Sequence, residues 1–349
     1  MKALGRILIL LFPLLPALGA PARLVRLDAA MLVRDPRSAD SWVSPEVPAP
    51  GGFVELVVSW NPRVGTTNAL RIEAQVRRGA DWGRTWRIAD WSPTPGPART
   101  SLDGQSDSTG RMDTDTLVLR ISAEAARVRV VDLAGGATVP PVSRVALSFW
   151  RPGGPESVAA VPPEPVPTVD VPVRSQAEFP EGVDRWCSPT STSMLLGHWA
   201  SVLARPAMDR GVREVAAGVD DPAWGGTGNW AFNAAFAGSV PGLQAAAARL
   251  SDASDLRALV AAGIPVAVSV SYAQLKGAER PAKGDGHLIV VCGFGAGTVV
   301  VNDPGVRLSR VRREFPFRDF DRAWAASHRT AYLVGPEDRP LPPSPSGTW

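Results

Sequence analysis

Hydrophobic and polar positions divide this chain into two unlike parts. Between residues 24 and 150 apolar side chains recur with a period of two. Leu70, Ile72, Ala74 and Val76 alternate with Arg71, Glu73, Gln75 and Arg77, as in a strand with one buried and one wet face. Leu117, Leu119 and Ile121 repeat the pattern. Phe53–Trp60 (FVELVVSW), Arg127–Asp132 and Val145–Trp150 are rich in strand formers, and clusters of Gly, Pro, Asn and Asp separate them. This spacing predicts an all-β sandwich domain over residues 21–150.

Beyond residue 169 the periods mix. Val169–Arg174 reads as a short strand, and Cys187 opens a helical stretch to about Leu203. Ser251 and Asp252 cap a helix carrying Leu256, Leu259 and Val260, and Gly263 ends it. Ile264–Val270 is a buried strand. His287–Phe294 and Thr298–Asn302 are strands joined through Gly295-Ala296-Gly297. Helices followed by a sheet predict an α+β domain over residues 169–334.

Three segments fall outside these patterns. Lys2 and Arg6 precede an apolar run, Ile7–Leu18, and small residues up to Ala20. That is the form of a secretory signal peptide, so residues 1–20 are expected to be removed and the protein to be secreted or held at the cell envelope. The run is shorter than the roughly 20 residues of a membrane span, and no later stretch is apolar enough to be one. Residues 151–168 form a Pro-rich, extended linker, and residues 335–349 repeat that character as a flexible tail.

Charge adds little. Without residues 1–20 the chain carries 35 basic and 34 acidic residues, with no basic stripe for nucleic acid. Two cysteines and three histidines lack metal-ligand spacing, and no cofactor is expected.

Candidate chemistry centres on Trp186-Cys187-Ser188-Pro189-Thr190. Proline suits a first helical turn, where its missing N–H is no loss. Cys187 therefore lies at a helix N-terminus, whose partial positive charge favours a thiolate and a nucleophile. His198 stands eleven residues further along the same helix, roughly 16 Å away and too far to serve as base; it reads as a surface or packing residue. His328 has no patterned partner. His287, after Gly284-Asp285-Gly286, remains as the base. A hairpin turning near Gly295-Ala296 sets His287 opposite about Pro304, with Asp303 beside it to orient the imidazole. The side-chain amide of Gln176 and the backbone N–H of Cys187 are candidate oxyanion donors.

Val171-Pro172-Val173-Arg174-Ser175-Gln176, Trp186-Cys187-Ser188-Pro189-Thr190, Gly286-His287 and Val301-Asn302-Asp303-Pro304 together resemble the bacteriocin-leader, double-glycine cysteine peptidases. The nearest likeness is to their stand-alone secreted branch. The segment WGRTWRIADW also resembles the region preceding such domains in related bacterial proteins. The resemblance implies a papain-like fold, with Cys187 as nucleophile, His287 as base, Asp303 as orienter and Gln176 in the oxyanion hole. Where that family usually has Gly after the nucleophile, this chain has Ser188. No transporter spans or ATPase accompany the domain, so leader cleavage during export is not implied.

A disulfide between Cys187 and Cys292 competes with this reading. Cys292 lies five residues along the strand from His287, roughly 16 Å away on the opposite face, so a thiol touching His287 does not reach it. A buried, free Cys292 follows. Three functions remain: a hydrolase of peptide bonds acting on peptides or proteins, a thiol transpeptidase or amidase, and an inactive cell-envelope binding protein. Trp82, Trp86 and Trp91 read either as a sugar- or peptide-binding cluster or as core. The Gly-rich Trp224–Trp230 segment (WGGTGNW) reads either as a substrate wall or as a structural turn.

Overall fold

The computed structural model of the protein describes residues 20–96, 98–152 and 164–349. The expected signal segment, up to residue 19, and residues 153–163 of the expected linker lie outside the described residues.

The first domain is a large antiparallel sheet. Its main path runs Ala22–Asp28, Val142–Trp150, Val47–Pro62, Thr116–Asp132, Leu70–Arg78, Trp86–Trp91 and Thr100–Ser101. The 17-residue strand Thr116–Asp132 unites what the sequence pattern splits in two. Its first residues pair with Gly110–Asp113 and with Glu55–Val57, while Ala125–Asp132 pair with Leu70–Arg77. Register breaks fall between Val118 and Ala125. The strands of the domain are thereby joined in one network of eleven strands. Ile121 sits in that break and is 59% exposed, against the expectation that it faces the core with Leu117 and Leu119. Trp86 and Trp91 are buried, so they fill the core; Trp82 is half-buried beneath the Arg127 guanidinium, 4.2 Å from its ring.

The second domain builds a six-stranded antiparallel sheet, ordered Leu243–Arg249, Thr330–Pro336, Val266–Ser271, Gly286–Phe294, Thr298–Asn302 and Arg312–Pro316. Helix α1 spans Cys187–Val202, α2 Val212–Val219, α3 Trp230–Ser239, α4 Ala253–Ala261, α5 Tyr272–Leu275 and α6 Phe317–Ala325. Helix α1 packs against the strand Gly286–Phe294 and is buried from Ser188 to Ala200. A helix buried on all sides carries no apolar stripe, and its Ser/Thr-rich first half hides it from a pattern reading. Helix α4 starts as expected, with the Asp252 carboxylate accepting from the Ser254 amide at 2.8 Å, and Gly263 takes φ +78° after it. Val169–Arg174 is extended but forms no ladder. Pro172 has no N–H to donate, and the segment is held by single bonds such as Val169 N to Cys292 O at 2.8 Å.

The domains share a buried interface. Leu243–Arg249 is the edge strand of the second sheet, yet all seven residues are buried. Side chains of the first domain take its outward backbone groups. Asn61 donates to Ala245 O at 2.8 Å and accepts from Ala245 N at 3.1 Å. Ser59 Oγ accepts from Ala247 N at 3.1 Å and Ser148 Oγ from Arg249 N at 2.8 Å. An unpaired edge would otherwise invite another chain. The Arg249 guanidinium crosses the interface to Glu55 at 2.6 Å. His328 also reaches Glu55, at 3.1 Å, and stacks on Trp150 with ring centres 3.8 Å apart; this is its partner in the fold.

The tail is not loose, contrary to the composition. Thr348 is fully buried, and its carbonyl accepts from Leu24 N at 2.6 Å. The buried Asp255 carboxylate accepts from Ser344 Oγ at 2.7 Å, Thr348 Oγ1 at 2.5 Å and Ser346 N at 3.2 Å. Hydroxyl groups converging on one buried carboxylate add to the ordering that Leu341 and Trp349 supply by packing against the core.

Candidate active site

Cys187 is the first residue of α1, after Trp186 at the N-cap. Gly182 makes the preceding turn feasible, since a Cβ there would lie 2.0 Å from the Trp186 ring. The residue is half-buried. Burial, the largest influence, pushes its pKa up, but the hydrogen bond and charge of His287, with the amides of Leu288 and Ser188, outweigh it and leave the thiol below its ordinary value.

His287 is the second residue of the strand Gly286–Phe294 and is buried. Its Nε2 lies 2.8 Å from Asp303 Oδ1, which leaves Nδ1 as the ring nitrogen for Cys187. Burial pulls the imidazole pKa down, but Asp303 and Cys187 together raise it to about 9. Asp303 is fully buried. Burial pushes its carboxyl up, yet the bonds from His287, Gly305 N and Arg313 bring it down to about 2. A depressed thiol against a raised imidazole favours a thiolate–imidazolium pair at neutral pH.

The hairpin pairs these residues one place away from the simple count. Val290 opposes Asn302 and Val291 opposes Val301, but the register shifts between Val291 and Gly293. The turn is centred between Ala296 and Gly297, one residue later than the count assumes, and the bulge at Cys292 takes back part of that shift, so the register beside the strand start extrapolates from His287 to Gly305 rather than Pro304. Gly305 then matters, because a Cβ there would lie 2.9 Å from His287 Cε1. Cys292 itself is buried and free, and burial pushes its thiol up to about 12.

Gln176 is buried beside this group. Its backbone N–H donates to Pro304 O at 3.0 Å. Its side-chain Nε2 donates to Val183 O at 2.5 Å, in the turn leading to Cys187, which leaves one N–H over. His198 is buried, not on the surface, and its Nδ1 lies 2.7 Å from Asp170 O. Asp285 is a turn residue: its Oδ2 accepts from Ser271 Oγ at 2.6 Å and from the amides of Ala273 and Ala282 at 3.0 and 3.1 Å. It thus braces the start of α5 and the approach to His287.

Several residues around the triad were not foreseen. Tyr272 OH donates to Asp303 Oδ2 at 3.0 Å, and its ring is tilted on His287 at 4.5 Å. Arg313 Nη1 donates to the same oxygen at 2.8 Å. Ser188 Oγ meets Tyr332 OH at 2.8 Å, so the side chain beside the nucleophile is turned into the domain. Tyr272 and Tyr332 are the chain's two tyrosines, and both serve the site; that scarcity was the one signal available.

Comparison with known proteins matches both domains to family models. Residues 168–332 match the Peptidase_C39 like family, and residues 25–149 match the Peptidase C39 N-terminal domain. Among solved structures, the chain is similar to a putative C39-like peptidase from Bacillus anthracis, at 18% identity and a TM-score of 0.41, over 51% of this chain and 100% of that one. It is also similar to a double glycine motif protease from an AMS/PCAT transporter in complex with its leader peptide, at 18% identity and a TM-score of 0.32, over 49% and 97%. No curated protein matches the chain. The chain carries a domain of the Peptidase_C39 like family, residues 168–332, behind a Peptidase C39 N-terminal domain, residues 25–149.

Proposed function

We propose that the protein is an exported cysteine peptidase that hydrolyses peptide bonds with Cys187, His287 and Asp303. The observation that carries this reading is the chain of bonds from Asp303 through His287 to Cys187 at the start of a helix. Cys187 attacks the substrate carbonyl as thiolate. The Cys187 amide and the remaining N–H of Gln176 receive the oxyanion. His287 Nδ1 gives its proton to the leaving amine. Acylation removes the thiolate charge that had raised the imidazole, so the ring then accepts a proton from water and the thioester is hydrolysed. Export rests on the form of residues 1–20.

The test is turnover of a mixed peptide substrate by protein lacking residues 1–20, followed by mass spectrometry across pH. The expected profile is bell-shaped. The alkaline limb falls near pH 9, where the imidazolium loses its proton. The acid limb lies below the ordinary thiol value, where the thiolate is protonated. Products incorporating an added amine instead of water would indicate a transpeptidase. A lack of turnover at every pH would favour the inactive envelope-protein reading.

A further inference from the structure

The loop Asp221–Asn229 joins α2 to α3 and touches both the first domain and the nucleophile's own segment. Asp221 is fully buried. Its Oδ1 accepts from Ser101 N of the first domain at 3.0 Å, and its Oδ2 from Asn229 Nδ2 at 3.0 Å. Just before the loop, buried Arg99 donates to Ala217 O of α2 at 2.7 Å. Just after it, Trp230 N, the first amide of α3, donates to Asp115 Oδ2 at 2.5 Å. Both ends of the loop are therefore tied to the first domain. On its other side, Thr227 Oγ1 donates to Arg185 O at 2.9 Å, two residues before Cys187. Thr227 O in turn accepts from Asn233 Nδ2 at 2.9 Å, and Asn233 Oδ1 from Thr192 of α1 at 3.0 Å.

Trp224 stands out on this anchored loop. It is 46% exposed, the only tryptophan of the chain's twelve among the exposed large hydrophobics. Its ring lies on two glycines: a Cβ at Gly226 would come within 2.7 Å of it, and one at Gly228 within 2.9 Å. The glycines thus form a bare shelf for the ring, and the first domain fixes the shelf. A flat ring held in one place loses little freedom on binding and offers a large apolar area.

We propose that the first domain is a working part of the substrate cleft. Through Ser101 and Asp115 it fixes the Asp221–Asn229 loop, and Trp224 is the surface that a bulky apolar side chain of a peptide substrate meets beside Cys187. Ser101 and Asp115 are positioning residues, and Trp224 is the specificity residue. The inference rests on the thiol-peptidase reading above, since it supplies that site with a substrate class. It gives the first domain a role in selectivity rather than in tethering.

The test compares two thiol reagents on the full chain. Iodoacetamide has no side chain and reads the thiolate alone. Benzyloxycarbonyl-Phe-Ala-fluoromethyl ketone carries aromatic groups and alkylates the thiolate by forming a C–S bond and releasing fluoride. Trp224→Ala is expected to raise KI for the peptidyl reagent about tenfold while leaving the iodoacetamide rate within about twofold. Asp115→Asn keeps the shape but weakens the acceptor, and it is expected to raise KI about threefold with kinact unchanged. An unchanged KI in Trp224→Ala would overturn the proposal. So would a parallel loss with both reagents, because the loop would then support the thiol rather than the substrate. Slow iodoacetamide reaction of the unmodified protein would instead overturn the peptidase reading, and this inference with it.

Discussion

Replacing Cys187 by alanine is expected to abolish the proposed peptide turnover and to leave the fold in place. Cys187 supplies the only thiol in contact with His287. Cys292, the other cysteine, is buried with its thiol pushed up to about 12, so it is neither ionised nor accessible near neutral pH. The loss in kcat is expected to be on the order of 10⁶-fold, as for other removed nucleophiles. The fold survives because alanine is tolerated at a helix start and Cys187 lies at the edge of the core, half-buried. Chromatography of peptide products and a melting curve check the two halves of this prediction. Retained turnover with an unchanged melting curve would remove Cys187 from the mechanism.

Asp303→Asn is expected to lower kcat/KM by about 10²- to 10⁴-fold, the range for losing an oriented acid–base pair. Asp303 accepts from His287, Gly305 N, Tyr272 and Arg313. An asparagine amide has one acceptor oxygen and an NH2 that faces donors, so at least one of these contacts becomes donor against donor. The negative charge that helps to raise the His287 imidazole also disappears. Its pKa falls from about 9, and the alkaline limb of the pH profile moves to lower pH. A pH–rate profile of the variant checks both effects. An unchanged limb would mean that Asp303 does not set the imidazole pKa.

Part of this site was legible in the chain because local rules govern it. Pro189 in a first turn fixed where α1 begins, and counting across a Gly-rich hairpin brought Asp303 to His287. The count missed by one residue because the turn is centred one residue later than Gly295-Ala296, a shift that a bulge at Cys292 only partly takes back; neither leaves a mark on a period-two pattern. Tyr272, Arg313 and Tyr332 stayed hidden, since α5, the strand Arg312–Pro316 and the strand Thr330–Pro336 meet the triad only through tertiary packing. Gln176 was placed in the right neighbourhood, but its partner Val183 comes from a turn that periodicity does not describe. The tail misled for a different reason. Its order comes from hydroxyls on Asp255 together with two apolar anchors, Leu341 and Trp349, which pack against the core. The interface, beside its apolar contact of Trp60 with Phe232, likewise draws on polar side chains, Ser59, Asn61 and Ser148, which in sequence are ordinary strand residues.

The most direct test of the account is the pH dependence of Cys187 alkylation by iodoacetamide, in the protein and in His287→Ala. The account predicts fast alkylation below pH 7 in the protein, because His287 stabilises the thiolate there. In His287→Ala it predicts much slower alkylation at that pH, with the apparent thiol pKa moved up, since burial remains and its opponent is gone. Equal rates and equal pKa values in the two proteins would contradict the account, because Cys187 and His287 would then not act as a pair.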